Sequence, residues 1–152
     1  MGGINLGRVF LGGLAAGAFC VAIEYIAALL GAYVKLGEAA GVPEMGRPSV
    51  EAQLAAAALQ VLIGGPLAVW LYAAVRPRFG AGPRTAVITA VYIWLVMMPY
   101  GWTVLEISRL LVRLPVSVVV ILDLMALPLI IAALLLGARL YQEDSASAEP
   151  AG

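Results

Sequence analysis

An all-α fold, specifically a polytopic membrane four-helix bundle, is what this sequence predicts, and three observations lead there. Its 152 residues are 63% hydrophobic and only 12% charged, whereas an average soluble domain carries about a quarter charged residues and under half apolar ones. The excess gathers into long apolar runs at 9–34, 49–75, 85–106 and 116–138, each longer than the ~20 residues that cross a hydrocarbon core. None of the runs alternates with a period of two. In lipid the backbone must satisfy its own hydrogen bonds, and without strand alternation the helix is the remaining way to do so.

The first span lies between Arg8 and Lys35. Arg8, the apolar run and the small residues Ala16-Gly17-Ala18 resemble a cleavable signal peptide. The run continues well past them with no polar segment before a cleavage site, so a retained span is expected. The second span follows Pro48, has Glu51 in its first turn, and stops before Arg76-Pro77-Arg78. Within it, Gly64-Gly65-Pro66 predicts a kink, because proline removes a backbone donor and clashes with the preceding turn. The third span starts near Thr85 and carries Pro99-Tyr100-Gly101, a second potential break. The fourth begins after Pro115, contains Pro128 as a further expected kink, and ends near Arg139. The residues from 142 to 152 are small, polar and acidic, a composition that predicts a disordered tail.

Orientation follows from lysine and arginine. Arg8, Arg76, Arg78, Arg84 and Arg139 fall on one side, and Lys35, Arg47, Arg109 and Arg113 on the other. The compact loop with Arg76, Arg78 and Arg84 tips the balance and places both termini in the cytoplasm. Those three arginines are also candidates for contact with lipid headgroups. The halves of the chain align weakly: AIEYIAALL at 22–30 matches VLEISRLLV at 104–112 on Glu24 and Glu106. Either a duplicated two-helix unit or the coincidence of two apolar sequences produces such a match.

Glu24 is the only charged residue in its span, and a lone carboxylate there costs about 2.5–3.5 kcal/mol on insertion scales. Steps of three or four residues connect it with Gly13, Gly17, Cys20, Ala28 and Gly31, a stripe of small residues of the kind that lets membrane helices pack closely. Glu24 is therefore expected to face a neighbouring helix. Counted from the cytoplasmic ends at about 1.5 Å per residue, Glu24, Gln60, Pro99 and Asp123 all fall at ~21–23 Å. That depth predicts a buried polar layer, to which Glu106 is a further candidate. Two readings of the layer stand: hydrogen bonds that tie the bundle together, or carboxyl groups whose protonation couples to ion or substrate movement.

Other chemistry finds little support. Histidine is absent and there is one cysteine, which removes the commonest general acid/base and the commonest transition-metal ligand. There is no Ser/His/Asp set, no CxxC and no phosphate-binding glycine loop after a strand, so no enzyme is expected. Glu24, Glu106 and Asp123 could offer only an oxygen-ligand site, and no two acids have ligand spacing within one helix. Neither a metal nor a cofactor is expected. Zero net charge gives no reason to expect nucleic acid as a partner. The partners expected are membrane lipid and either further copies of the chain or a larger membrane complex.

Three segments, GRVFLGGLAAG at 7–17, WLYAAVRPRFGAGPRTA at 70–86 and GARLYQE at 137–143, resemble small, uncharacterised four-helix integral membrane proteins of bacteria. Their residues mark helix ends and packing glycines. The resemblance thus implies a fold in the bacterial inner membrane and no activity. It leaves an accessory or assembly subunit as the leading expectation. Glu24 alone resembles the buried glutamate of small multidrug-resistance transporters, which implies proton-coupled transport through Glu24 and Asp123 as the alternative.

Overall fold

The computed structural model describes residues 4–39, 41, 50–109 and 116–141, with only the backbone described for Tyr33 and for 99–109. The described residues form helices and no strands. In chain order these are α1 (Leu6–Leu29), α2 (Ala32–Ala39), α3 (Val50–Leu59), α4 (Gly65–Phe79), α5 (Pro83–Arg109) and α6 (Val116–Leu140), with a π-helical turn at Gln60–Gly64 joining α3 to α4. Three helices are long and apolar enough to cross a membrane: α1, the continuous stretch Val50–Phe79, and α6; the Pro83–Met98 part of α5 is a shorter apolar helix. The tail from 142 onward, Arg47 and Arg113 lie outside the described residues.

Helix ends follow local chemistry. Asn5 caps α1, its Oδ1 accepting from the Arg8 N–H at 3.1 Å. The first span does not run on to residue 34 as one helix, because it stops at a turn through Leu30 and Gly31, where Gly31 has φ 69°. A side chain there is strained, which suits glycine. Gly31 has open space around the position a Cβ would take. It is therefore a turn residue, not the helix-packing residue its place on the small stripe suggests. At the other end of the molecule, Gly80 at φ 85° ends α4 with its N–H on the Arg76 carbonyl, and the Thr85 hydroxyl donates to the Gly80 carbonyl at 2.7 Å.

Packing centres on α1, which touches both the second span and α6. Gly13 and Gly17 meet the second span: a Cβ on Gly13 would collide with the Pro66 backbone, and one on Gly17 would lie 2.7 Å from the Val61 Cα. Gly65 returns the contact, since a Cβ there would collide with the Gly13 carbonyl oxygen. The adjacent face of α1 meets α6, where a Cβ on Gly12 would lie 2.7 Å from the Gly137 carbonyl oxygen. Small residues thus bring three backbones together, the arrangement by which helices gain van der Waals contact when lipid supplies no hydrophobic drive.

The buried core lies beside this seam. It comprises Val9, Ala16 and Cys20 of α1, Val69, Tyr72 and Ala73 of α4, Ala86 and Ala90 of α5, Ala133 and Leu134 of α6, and Tyr141. By contrast, no residue of α3 is buried. The bundle is tight where α1 begins and α6 ends, and opens toward α3.

Gly64 and Gly65 differ in what they touch, although they are neighbours. Gly65→Ala is expected to destabilise by about 1–3 kcal/mol, as overpacking against unyielding backbone does. Gly64→Ala meets nothing closer than 4.0 Å and should be neutral or slightly stabilising, since alanine is the better helix former by about 1 kcal/mol. Thermal unfolding of the two variants in detergent checks the contrast, and equal behaviour would disprove the backbone contact at Gly65.

Candidate functional site: a polar cluster at the π-turn

The π-turn has an identifiable cause. Pro66 has no N–H and its ring crowds the carbonyl one turn earlier. The helix widens instead of breaking, and the Gly65 N–H bonds the Gln60 carbonyl, five residues back. The consequence at Gly64-Gly65-Pro66 is a wide turn that leads directly into α4. Such single-turn bulges are frequent at functional sites because they re-aim side chains.

Gln60, the first residue of the turn, is aimed at α1. Its Nε2 donates to Glu24 Oε1 at 3.2 Å, and both side chains are half-buried. Cys20 stands one turn before Glu24 on the same face and is buried near Gln60 and Glu24. Directly below, Gly17 packs on the carbonyl of the same Gln60. Glu24, Gln60 and Cys20 thus form one cluster, resting on the glycine seam. The Gln60 amide supplies a hydrogen-bond donor to the carboxyl group of Glu24.

Asp123 is tied to a different element. Its backbone carbonyl accepts from Trp94 Nε1 at 2.8 Å, which links α5 to α6. Its Oδ2 is buried and has no hydrogen-bond partner among the described residues. Among the described residues no hydrogen bond joins Asp123 to Glu24 or Gln60. Glu106 and Pro99 lie on the α5 backbone, and their side chains are outside the described residues. Helix α6 continues through Pro128 without interruption. Among the described residues no group of three metal-ligating side chains occurs.

The opposite end of the bundle carries a second constellation. Tyr141 is buried and meets Tyr72 edge-to-face, with ring centroids 6.2 Å apart. The Arg76 guanidinium sits over the Tyr141 ring at 5.9 Å, within range of a cation–π attraction. The Tyr72 hydroxyl accepts from the Gly82 N–H at 3.2 Å, fastening the turn between α4 and α5. Arg78 and Arg84 are exposed beside it.

Sequence reasoning missed Gly12, Gly65 and Gly137 as packing residues, and the Tyr72–Tyr141 lock. The spacings Gly12-x-x-x-Ala16 and Ala133-x-x-x-Gly137 were the available signals. No protein-family model, curated protein or solved structure matches the chain.

The Glu24–Gln60 bond should register as an energetic coupling. A double-mutant cycle with Glu24→Ala and Gln60→Ala is expected to give about 0.6 kcal/mol, with ~1.7 kcal/mol as the ceiling for interhelical hydrogen bonds in membranes. Glu24→Gln keeps a carbonyl acceptor in place and should unfold close to wild type in detergent. Zero coupling would mean that the contact contributes nothing to helix association.

Proposed function

We propose that the chain is a non-enzymatic, four-span integral membrane protein of the bacterial inner membrane, an accessory or assembly subunit of a larger membrane complex or homo-oligomer. On this reading, Pro83–Arg109 supplies the fourth span and both termini are cytoplasmic. The observation that carries it is the Glu24–Gln60 bond seated on the Gly13–Gly17 seam. The one carboxylate of α1 is spent on a structural contact between helices, so it closes the bundle at no need for a substrate.

One observation favours a second reading. A buried carboxylate oxygen without a partner, as at Asp123 Oδ2, is costly in an apolar helix and marks ion or proton pathways in many membrane proteins. A small proton-coupled transporter would use Asp123 together with the half-buried Glu24.

Reconstituted protein separates the two. The structural reading expects no flux driven by a pH gradient across a panel of cations and amphiphiles, and the same null result for Glu24→Gln. Flux that Glu24→Gln or Asp123→Asn abolishes would replace the first reading with the second. Reporter fusions at each terminus should both report the cytoplasm.

A further inference from the structure

The fold collects arginines from four helices at one end of the bundle. Arg8 stands one turn before Gly12, which packs on Gly137 of α6, and Arg139 follows two residues after that glycine. Arg76 lies on the Tyr141 ring. Arg78 ends α4, and Arg84 begins α5 across a turn fastened to Tyr72. In sequence Arg8 and Arg139 are more distant than almost any other pair, yet antiparallel packing of α1 on α6 brings their helix ends together.

Among the described residues, acidic side chains are missing from this end. Those described are Glu24, Glu38, Glu51 and Asp123, and all lie deeper in the bundle or toward its other end. It is also a boundary between media, for each arginine flanks an apolar helix. Trp70 and Phe79 are exposed on α4 just inside and at that boundary, where amphipathic and aromatic rings gather in membrane proteins. The Tyr72–Tyr141–Arg76 stack ties α4 to the end of α6, and Arg78, Arg84 and Arg139 are exposed around it.

We infer that this arginine-bearing end docks onto the phosphates of anionic phospholipids, in preference to zwitterionic ones. The inference rests on the membrane-spanning reading, and it goes beyond a topology signal because it requires retained, charge-selective lipid. Each arginine presents a planar fork of donors that matches phosphate oxygens. Juxtamembrane basic residues contribute roughly a factor of five in binding apiece.

The test is native mass spectrometry of the full chain in detergent with added phosphatidylglycerol or phosphatidylcholine of identical acyl chains. Recovery with the membrane fraction is scored first: a chain that is not recovered there loses both readings, whereas a chain that is recovered tests the docking alone. Phosphatidylglycerol is expected to stay bound under conditions that strip phosphatidylcholine. The triple variant Arg78→Gln, Arg84→Gln, Arg139→Gln, all at exposed positions, should bind phosphatidylglycerol roughly a hundredfold more weakly. The matching lysine variant should keep the preference. Equal retention of the two lipids by wild type, or an undiminished preference in the glutamine variant, overturns the inference. So does a preference that emerges only when Glu143→Gln, Asp144→Asn and Glu149→Gln neutralise the acidic tail, for the tail would then be the occupant of this end.

Discussion

The close approach of α1 to Pro66 on one side and to Gly137 on the other is the contact on which the rest of the structure depends. Lipid tails are as apolar as leucine, so nothing squeezes two apolar helices together in a membrane. Attraction must come from many atoms at van der Waals distance, and side chains longer than a hydrogen hold backbones too far apart for that. Gly12, Gly13, Gly17, Gly65 and Gly137 remove the obstacle from both partners at once. The buried core of valine, alanine, leucine and tyrosine side chains then fills the space beside a seam already made.

That seam also explains the polar cluster. A proline in the middle of a membrane helix leaves a carbonyl without its donor, and the widened turn at Gln60–Gly64 absorbs the defect. Widening rotates Gln60 relative to the helix before it, and the Gly17 contact on its carbonyl fixes where it points. Glu24, two turns further along α1, meets an amide donor at 3.2 Å. Proline, glycine and carboxylate therefore act as one device. The bulge costs regularity in α4, and the interhelical hydrogen bond offsets part of that cost.

Different parts of the molecule were legible in the sequence to different degrees. The all-helical class was open to reading because composition and the need to satisfy backbone hydrogen bonds in an apolar solvent are properties of single segments. The inward direction of Glu24 could be read because helical period ties it to Gly13 and Gly17. The same period misled at Gly31, since periodicity presumes a helix that has not yet ended, and only backbone conformation reveals the turn. Depth along the membrane normal placed Gln60 and Asp123 level with Glu24. Depth is one coordinate, however, and the azimuth of each helix is another. Gln60 lies on the helix face that meets α1, whereas the backbone of Asp123 meets Trp94 of α5 and its Oδ2 has no hydrogen-bond partner among the described residues.

Taken alone, the sequence determined the apolar character of the helices, the secondary structure and the face of α1 that packs, because each depends on local composition and a fixed helical repeat. Only the tertiary structure decided which polar groups meet and that Pro66 produces a π-turn. Those outcomes depend on how helices rotate about their axes and which neighbour each one chooses. Both are set by the summed contacts of residues far apart in the chain, such as Gly12 with Gly137 and Tyr72 with Tyr141.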